Sequence, residues 1–311
     1  MISNMQSRRW VKSIESQSFF PVCILVFGLF SWMAGPALAA DPPLTNLTLW
    51  LRADAGVNGG AAVDGAGVSS WANQVAGWSN ATQATAGLQP VYHTDVINGH
   101  PAIRFNPGPT DASNDDLLTL PTFDFPATVS VYAVIKREEN DQAGTGRDRV
   151  FAGLNPGSMQ FAAFNSDDFP GVIGVHLGHQ GQDSRSTSFP VDDEWQILGA
   201  RYDGSTVNFS LWSLDGVLLN SQASAYPKGD FANSEYSIGG FATGTGSLDG
   251  DVGALLVYNT QLTLAQESAV VSHLAGAFAV PEPSSIVLVC CGLVAMVGYC
   301  WRSRAKAVSA A

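Results

Sequence analysis

Cysteine is missing from the body of this sequence. The 311-residue chain has four, Cys23, Cys290, Cys291 and Cys300, and all lie in apolar segments near the two ends. The 240 residues from Asp41 to Val280 contain none. This excludes a disulfide-stapled scaffold, a thiolate metal site and a cysteine nucleophile from the middle region. Basic residues are nearly as scarce there. Of the 15 Lys and Arg, six (Arg8, Arg9, Lys12, Arg302, Arg304, Lys306) sit in the ends, which leaves nine. Of the 27 Asp and Glu, only Glu15 and Glu282 lie outside the middle, which leaves 25 and a net charge of −16. No basic surface exists to displace counterions, so nucleic acid is excluded as a partner. At this length the middle can bury a full core as one large domain without covalent help.

What is present at the ends reads as addressing. Arg8, Arg9 and Lys12 precede an apolar run from Phe19 to Gly35, followed by Ala37-Leu38-Ala39. A basic region, an apolar helix and a small-residue cleavage site make a secretory signal over residues 1–39. The expected cut by signal peptidase follows Ala39, with Ala40 as the alternative. At the other end, Pro281-Glu282-Pro283 is followed by the 16-residue apolar run Ile286–Trp301 and then Arg302, Arg304 and Lys306. As a helix that run spans ~24 Å, slightly short of the ~30 Å hydrocarbon core. Ser284 and Ser285 can lengthen it, and the basic tail stays cytoplasmic by the positive-inside rule. Motif, short span and basic tail together resemble the PEP-CTERM sorting signal of Gram-negative bacteria, over residues 280–306. The resemblance implies an exosortase as processing enzyme. It also implies removal of the tail and delivery of the domain to the cell surface or extracellular matrix. Pro281, Glu282 and Pro283 are then substrate positions for another enzyme.

Residues 41–279 read as one all-β domain. Gly, Asn, Asp and Ser clusters separate short apolar runs, the punctuation of a sandwich. Thr128–Lys136 alternates with Val129, Val131, Ala133 and Ile135 on one face. Glu194–Tyr202 and Thr206–Trp212 flank Asp203-Gly204, a hairpin signal. Asp215-Gly216 turns the chain into Val217-Leu218-Leu219, and Asp251–Tyr258 is a further strand. The exception is Thr263–Phe278. Thr263 and Gln266 have capping-box spacing, and Val271, Leu274 and Phe278 form a helical stripe. The opening segment Leu47–Val57, then Val68–Gln74, Asn98–Phe105, Asp116–Leu120 and the closing Gly250–Asn259 are similar in kind and order to laminin-G-like, concanavalin A-like jelly rolls of bacterial surface proteins. That resemblance implies an antiparallel jelly-roll sandwich with one C-terminal helix. It names no ligand, since the fold hosts lectins, adhesion modules and glycosidases.

A search for chemistry finds little. A retaining glycosidase needs two carboxylates about 5 Å apart. The nearest approach is Asp249-Gly250-Asp251, which lacks a Glu, while Asp192-Asp193-Glu194 is contiguous and Glu138-Glu139 reads as a solvated turn. Gly157-Ser158 and Gly204-Ser205 are turn serines, and His176 and His179 have helical metal spacing in a Gly-rich strand context. No enzyme is expected. Calcium is the one cofactor considered, because acidic loops offer hard oxygen ligands. The candidates are Asp111, Asn114, Asp115 and Asp116 in one loop and Asp249 and Asp251 in another. Sugars stack on exposed aromatic faces, and Trp78, in the polar stretch Gly77–Thr82, is the best placed of Trp50, Trp71, Trp78, Trp195 and Trp212. The expectation is an exported, non-catalytic surface or matrix protein that binds glycan, extracellular polysaccharide being the expected partner, or supports adhesion. A purely structural matrix protein and a glycan-cleaving hydrolase are the alternatives.

Overall fold

Sixteen strands and one long helix carry the described part of the chain. The computed structural model describes residues 40–106, 116–138, 148–155, 157–164, 174–179, 182–185, 193–227, 231–240, 248–279, 293–294 and 296–298. The chain divides into two units, Met1–Ala37 and Leu38–Ala311. The first lies outside the described residues, as do Ala39, the Pro281-Glu282-Pro283 motif and nearly all of the apolar run after it. No helix among the described residues is long and apolar enough to cross a membrane.

The strands are β1 (Leu47–Arg52), β2 (Ser70–Trp71), β3 (Ala81–Thr82), β4 (Val91–Ile97), β5 (His100–Phe105), β6 (Leu118–Phe123), β7 (Val129–Arg137), β8 (Asp148–Gly153), β9 (Gln160–Phe164), β10 (Gly174–His179), β11 (Gln182–Arg185), β12 (Trp195–Tyr202), β13 (Thr206–Ser213), β14 (Leu218–Ala225), β15 (Ser234–Ile238) and β16 (Gly250–Tyr258). They form two antiparallel eight-stranded sheets. The first runs β14-β13-β12-β7-β16-β5-β4, with β1 also paired to β16. The second runs β11-β10-β9-β8-β15-β6-β3-β2. One edge of β16 is shared: Gly250, Asp251 and Val252 pair with β5, while Ala254 to Tyr258 pair with β1. A register shift between Val252 and Ala254 marks the handover, the irregularity by which a strand changes its aim.

The sandwich interior follows the alternation read from the sequence. Val129, Val131, Ala133 and Ile135 of β7 face inward with Val207, Phe209 and Leu211 of β13. From the second sheet come Leu118, Leu120, Phe151, Phe161, Tyr236 and Ile238. The Asp203-Gly204 hairpin forms, with Asp203 Oδ1 accepting from the backbone N–H groups of Ser205 (2.8 Å) and Thr206 (2.7 Å). Those bonds hold the Asp203 carboxyl below its ordinary range. Strands β4, β8 to β11 and β15 carry no comparable signal, because their residues do not alternate cleanly.

The first sheet is apolar on both faces. The other side of β7 presents Tyr132 and Val134, β16 presents Ala254, Leu256 and Tyr258, and β1 presents Trp50. These are covered by helix α1 (Leu264–Ala277) through Val270, Val271 and Leu274, with Phe278 just beyond its end. Thr263 caps α1 in a full capping box with Gln266, a device worth about 1 kcal/mol. Three further contacts pin the helix. Glu267 accepts at one oxygen, Oε1, from Arg201 Nε (2.9 Å) and from the Tyr132 hydroxyl (3.3 Å). The Asn98 side chain, on the Asn98-Gly99 turn between β4 and β5, donates to the Phe278 carbonyl (2.9 Å). His273 Nδ1 donates to the Ala40 carbonyl (2.7 Å), and burial holds that imidazole below its ordinary range.

Where the helix-side rings cross β12, only glycine fits. A Cβ on Gly199 would lie 2.8 Å from Trp212 Cζ3 and 2.8 Å from Tyr132 Cε1. The expected cost of Gly199→Ala is about 1–3 kcal/mol, because ring carbons on packed strands have nowhere to move. Thermal denaturation should show a melting point lower by about 3–10 °C. An unchanged melting point would show that the rings repack freely.

Candidate functional site

Trp78 lies in the loop between β2 and β3, and that loop is organised by one side chain. Asn73 Oδ1 accepts from the backbone N–H of Trp50 (3.0 Å) and of Val75 (3.0 Å). Its Nδ2 donates to the Thr48 carbonyl (3.0 Å). Asn73 thereby ties the loop to β1, and the Trp78 N–H donates to the Val75 carbonyl (3.3 Å). Gly77 takes φ +85°, a left-handed conformation that glycine adopts without strain. The indole then stacks on Phe123, with ring centroids 5.3 Å apart and planes 6° from parallel. Phe123 is itself stacked on Phe125 and edge-on to Tyr236. Trp78 is the outermost ring of this series. One side is seated on the core while 42% of the residue remains exposed.

The other tryptophans of the domain are used for packing. Trp71 is fully buried and donates to the Arg52 carbonyl (2.8 Å). Trp50 meets the edge of His273, Trp212 is buried beside Tyr132, and Trp195 packs partly buried against the helix-side cluster. Among the described residues Trp78 is the single tryptophan exposed by more than a third.

A second arrangement gathers charge at the strand ends. Arg104 of β5 reaches across to Asp251 of β16 and binds both oxygens, Nε to Oδ1 at 2.8 Å and the second terminal nitrogen to Oδ2 at 2.7 Å. Asp251 is 1% exposed, and this fork-to-fork pair raises the guanidinium further above its ordinary value. The same nitrogen lies 3.2 Å from Glu138 at the end of β7. Glu138, read from the sequence as part of a solvated turn, is therefore an ion-pair partner. Its backbone N–H also donates to the Asp249 carbonyl (2.9 Å). Burial, then the Glu138 charge, push the Asp249 carboxyl up to about 6, against the opposing pull of Arg104 and Arg137.

The calcium candidates fall on two sides. Asp115, with Asp111 and Asn114, lies outside the described residues. Asp116 Oδ2 accepts from the Asn106 N–H (3.0 Å), just after β5. Both oxygens of Asp251 are engaged by a guanidinium, which leaves Asp249 as the open carboxylate of that pair. Among the described residues no group of three or more His, Cys, Asp or Glu is close enough to share a metal ion. Asp251 and Glu138 form an ion-pair network with Arg104.

No protein-family model matches the chain, and no curated protein matches it. Solved structures do. The chain is similar to a GH54 α-L-arabinofuranosidase soaked with a cyclic sulfate inhibitor, with a TM-score of 0.53 and 10% identity, over 68% of this chain and 51% of that one. It spans about half of that enzyme's length. It is also similar to domain 4 of AbnA, a GH43 extracellular arabinanase from Geobacillus stearothermophilus, in complex with arabinotriose, with a TM-score of 0.49 and 16% identity, over 74% of this chain and 98% of that one. At 10% identity the likeness to the arabinofuranosidase is one of fold, an all-β sandwich of two antiparallel sheets.

The raised Asp249 carboxyl carries a pH signature. The fold binds its proton more tightly than the unfolded chain does, so ionising Asp249 costs stability as pH rises from about 4 through about 6. Asp249→Asn removes that cost. The variant is expected to match the parent below pH 4 and to exceed it above pH 7 by on the order of 1 kcal/mol, after solvent screening is allowed for. Denaturant melts across that range measure it, and an equal offset at every pH would contradict it.

Proposed function

We propose that this chain is an exported, non-catalytic surface or matrix protein whose sandwich, a concanavalin A-like jelly roll, binds glycan. Signal peptidase cuts the chain after Ala39. An exosortase recognises Pro281, Glu282 and Pro283 and the span and basic tail that follow, and the domain reaches the cell surface or matrix of a Gram-negative bacterium. The observation that carries the glycan reading is Trp78. An exposed indole costs solvation unless something covers it, and this one is seated on Phe123 instead of being left to move. A sugar ring presents a flat C–H face to such a surface while its hydroxyls stay in water. The strong acidity of residues 41–280 suits a neutral polysaccharide better than a polyanion.

A glycan array probed with the full chain in detergent, with and without calcium, tests the reading. Trp78→Ala is expected to weaken binding tenfold or more, equivalent to about 1.4 kcal/mol, while Trp78→Phe retains part of it. Absence of binding under every condition would favour a purely structural matrix role.

Glycan cleavage is the second reading, and one observation favours it. Asp249 holds its carboxyl near 6 beside Glu138, two carboxylates in unequal environments, the pattern that divides acid from base or nucleophile. Release of reducing ends from polysaccharide, abolished by Asp249→Asn, would establish this activity. Without such release the binding reading stands.

A further inference from the structure

The outer face of the first sheet is only partly covered by α1. Beyond the helix lies a groove of about 280 Å³. Ser210 and Trp212 of β13 and Leu218 and Ser221 of β14 form its floor, and Ser268 and Ser272 of α1 form its wall. It shares no residue with the Trp78 stack. Arg201 and Glu267 also line it, and their bonding is incomplete. Glu267 uses Oε1 for both Arg201 Nε and the Tyr132 hydroxyl. Arg201 gives its first terminal nitrogen to the Leu262 carbonyl (3.1 Å). Among the described residues nothing binds Glu267 Oε2 or the second terminal nitrogen of Arg201. The two side chains are only 8% and 12% exposed, yet neither open atom is among the buried polar atoms sealed without a partner. A buried ion pair thus offers the groove one acceptor and one donor side by side.

We infer that this groove is a binding site for a neutral saccharide unit. The charge pattern selects the class. An anion drawn to Arg201 meets Glu267 Oε2 and the nearby Asp215, and a cation drawn to Glu267 meets the guanidinium. Neighbouring hydroxyls of a sugar satisfy both, one donating to the carboxylate and one accepting from the guanidinium, in charge-assisted bonds stronger than neutral ones. The serine hydroxyls extend the polar lining, while Trp212, Leu218 and the exposed Leu264 offer apolar surface to C–H faces. The volume is close to the ~300 Å³ lower end of small-ligand sites, which suits one or two sugar rings. With Trp78, the domain then has two separate glycan contacts, and one chain can bridge two polysaccharide strands.

The test uses the full chain in a detergent without a sugar headgroup. Maltose, cellobiose and lactose are titrated by calorimetry, with glucuronate, glucosamine and glutamine as charged and amide controls. Ser272→Trp fills the groove from an exposed helix position, and Ser268→Phe is the second filler should the first not fold. In a Trp78→Ala background at least one disaccharide is expected to bind, and the filler should weaken it tenfold or more at an unchanged melting temperature. No disaccharide binding in that background, binding indifferent to the filler, or a preference for any of the controls would overturn the inference. Binding that ignores Trp78→Ala but falls with Ser272→Trp would instead remove the Trp78 reading and leave this one standing.

Discussion

A sheet whose central strands, β7 and β16, are buried on both faces is the constraint on which the rest of this molecule depends. All nine residues of β16 are buried, and a strand of that kind needs apolar cover on each side. The second sheet covers one face. The other would expose Trp50, Tyr132, Val134, Leu256 and Tyr258 if α1 were absent. The helix is therefore part of the core, and its attachments are placed accordingly. Its N-terminus is capped by Thr263. Its middle is held through Glu267, its last carbonyl receives Asn98, and His273 fastens the incoming chain at Ala40. Residues near both ends of the domain meet on this one helix, so the sandwich begins and closes on the same surface.

The scarcity of cations gives the ion pairs their meaning. With nine Lys and Arg among the 240 residues of the middle, two arginines are nonetheless committed to nearly buried carboxylates, Arg104 to Asp251 and Arg201 to Glu267. Pairs of this type seldom add net stability over apolar replacements, though losing one partner is costly. Their geometry differs in a way that matters. Arg104 engages both oxygens of Asp251 and closes the pair. Arg201 engages one oxygen of Glu267, and the incomplete pair faces a groove. The first joins strands; the second leaves valence available. The remaining carboxylates, mostly in loops, keep the surface acidic and disfavour polyanions.

Much of the architecture was legible in local pattern. Alternation placed β7 and β13 with the correct inward residues, Asp203-Gly204 and Asp215-Gly216 marked the turns on either side of β13, and Thr263 with Gln266 announced the helix. The strands that were not legible are short, irregular or flanked by loops, such as β2 and β3 with two residues each. β2 and β3 pair with each other, β3 also pairs with β6, and those partners supply the hydrogen bonds that define them. Trp50 illustrates the same limit. Its alternation with Leu49 and Leu51 implies only that one of the two sets faces outward or meets a loop. Trp50 meets α1, more than 200 positions later.

The sequence by itself determined the chemistry available: a cysteine-free acidic domain between two apolar, basic-flanked ends, and an all-β alternation with one closing helix. Tertiary structure decided which side chains met. It seated Trp78 on Phe123, brought Glu138 to Arg104 and Asp249, and set Arg201 against Glu267 at the foot of a groove. None of these pairs is close in sequence, and no periodicity encodes them. They arise because strand register and helix docking bring distant side chains together, and a side chain's charge, exposure and open valence are properties of that company.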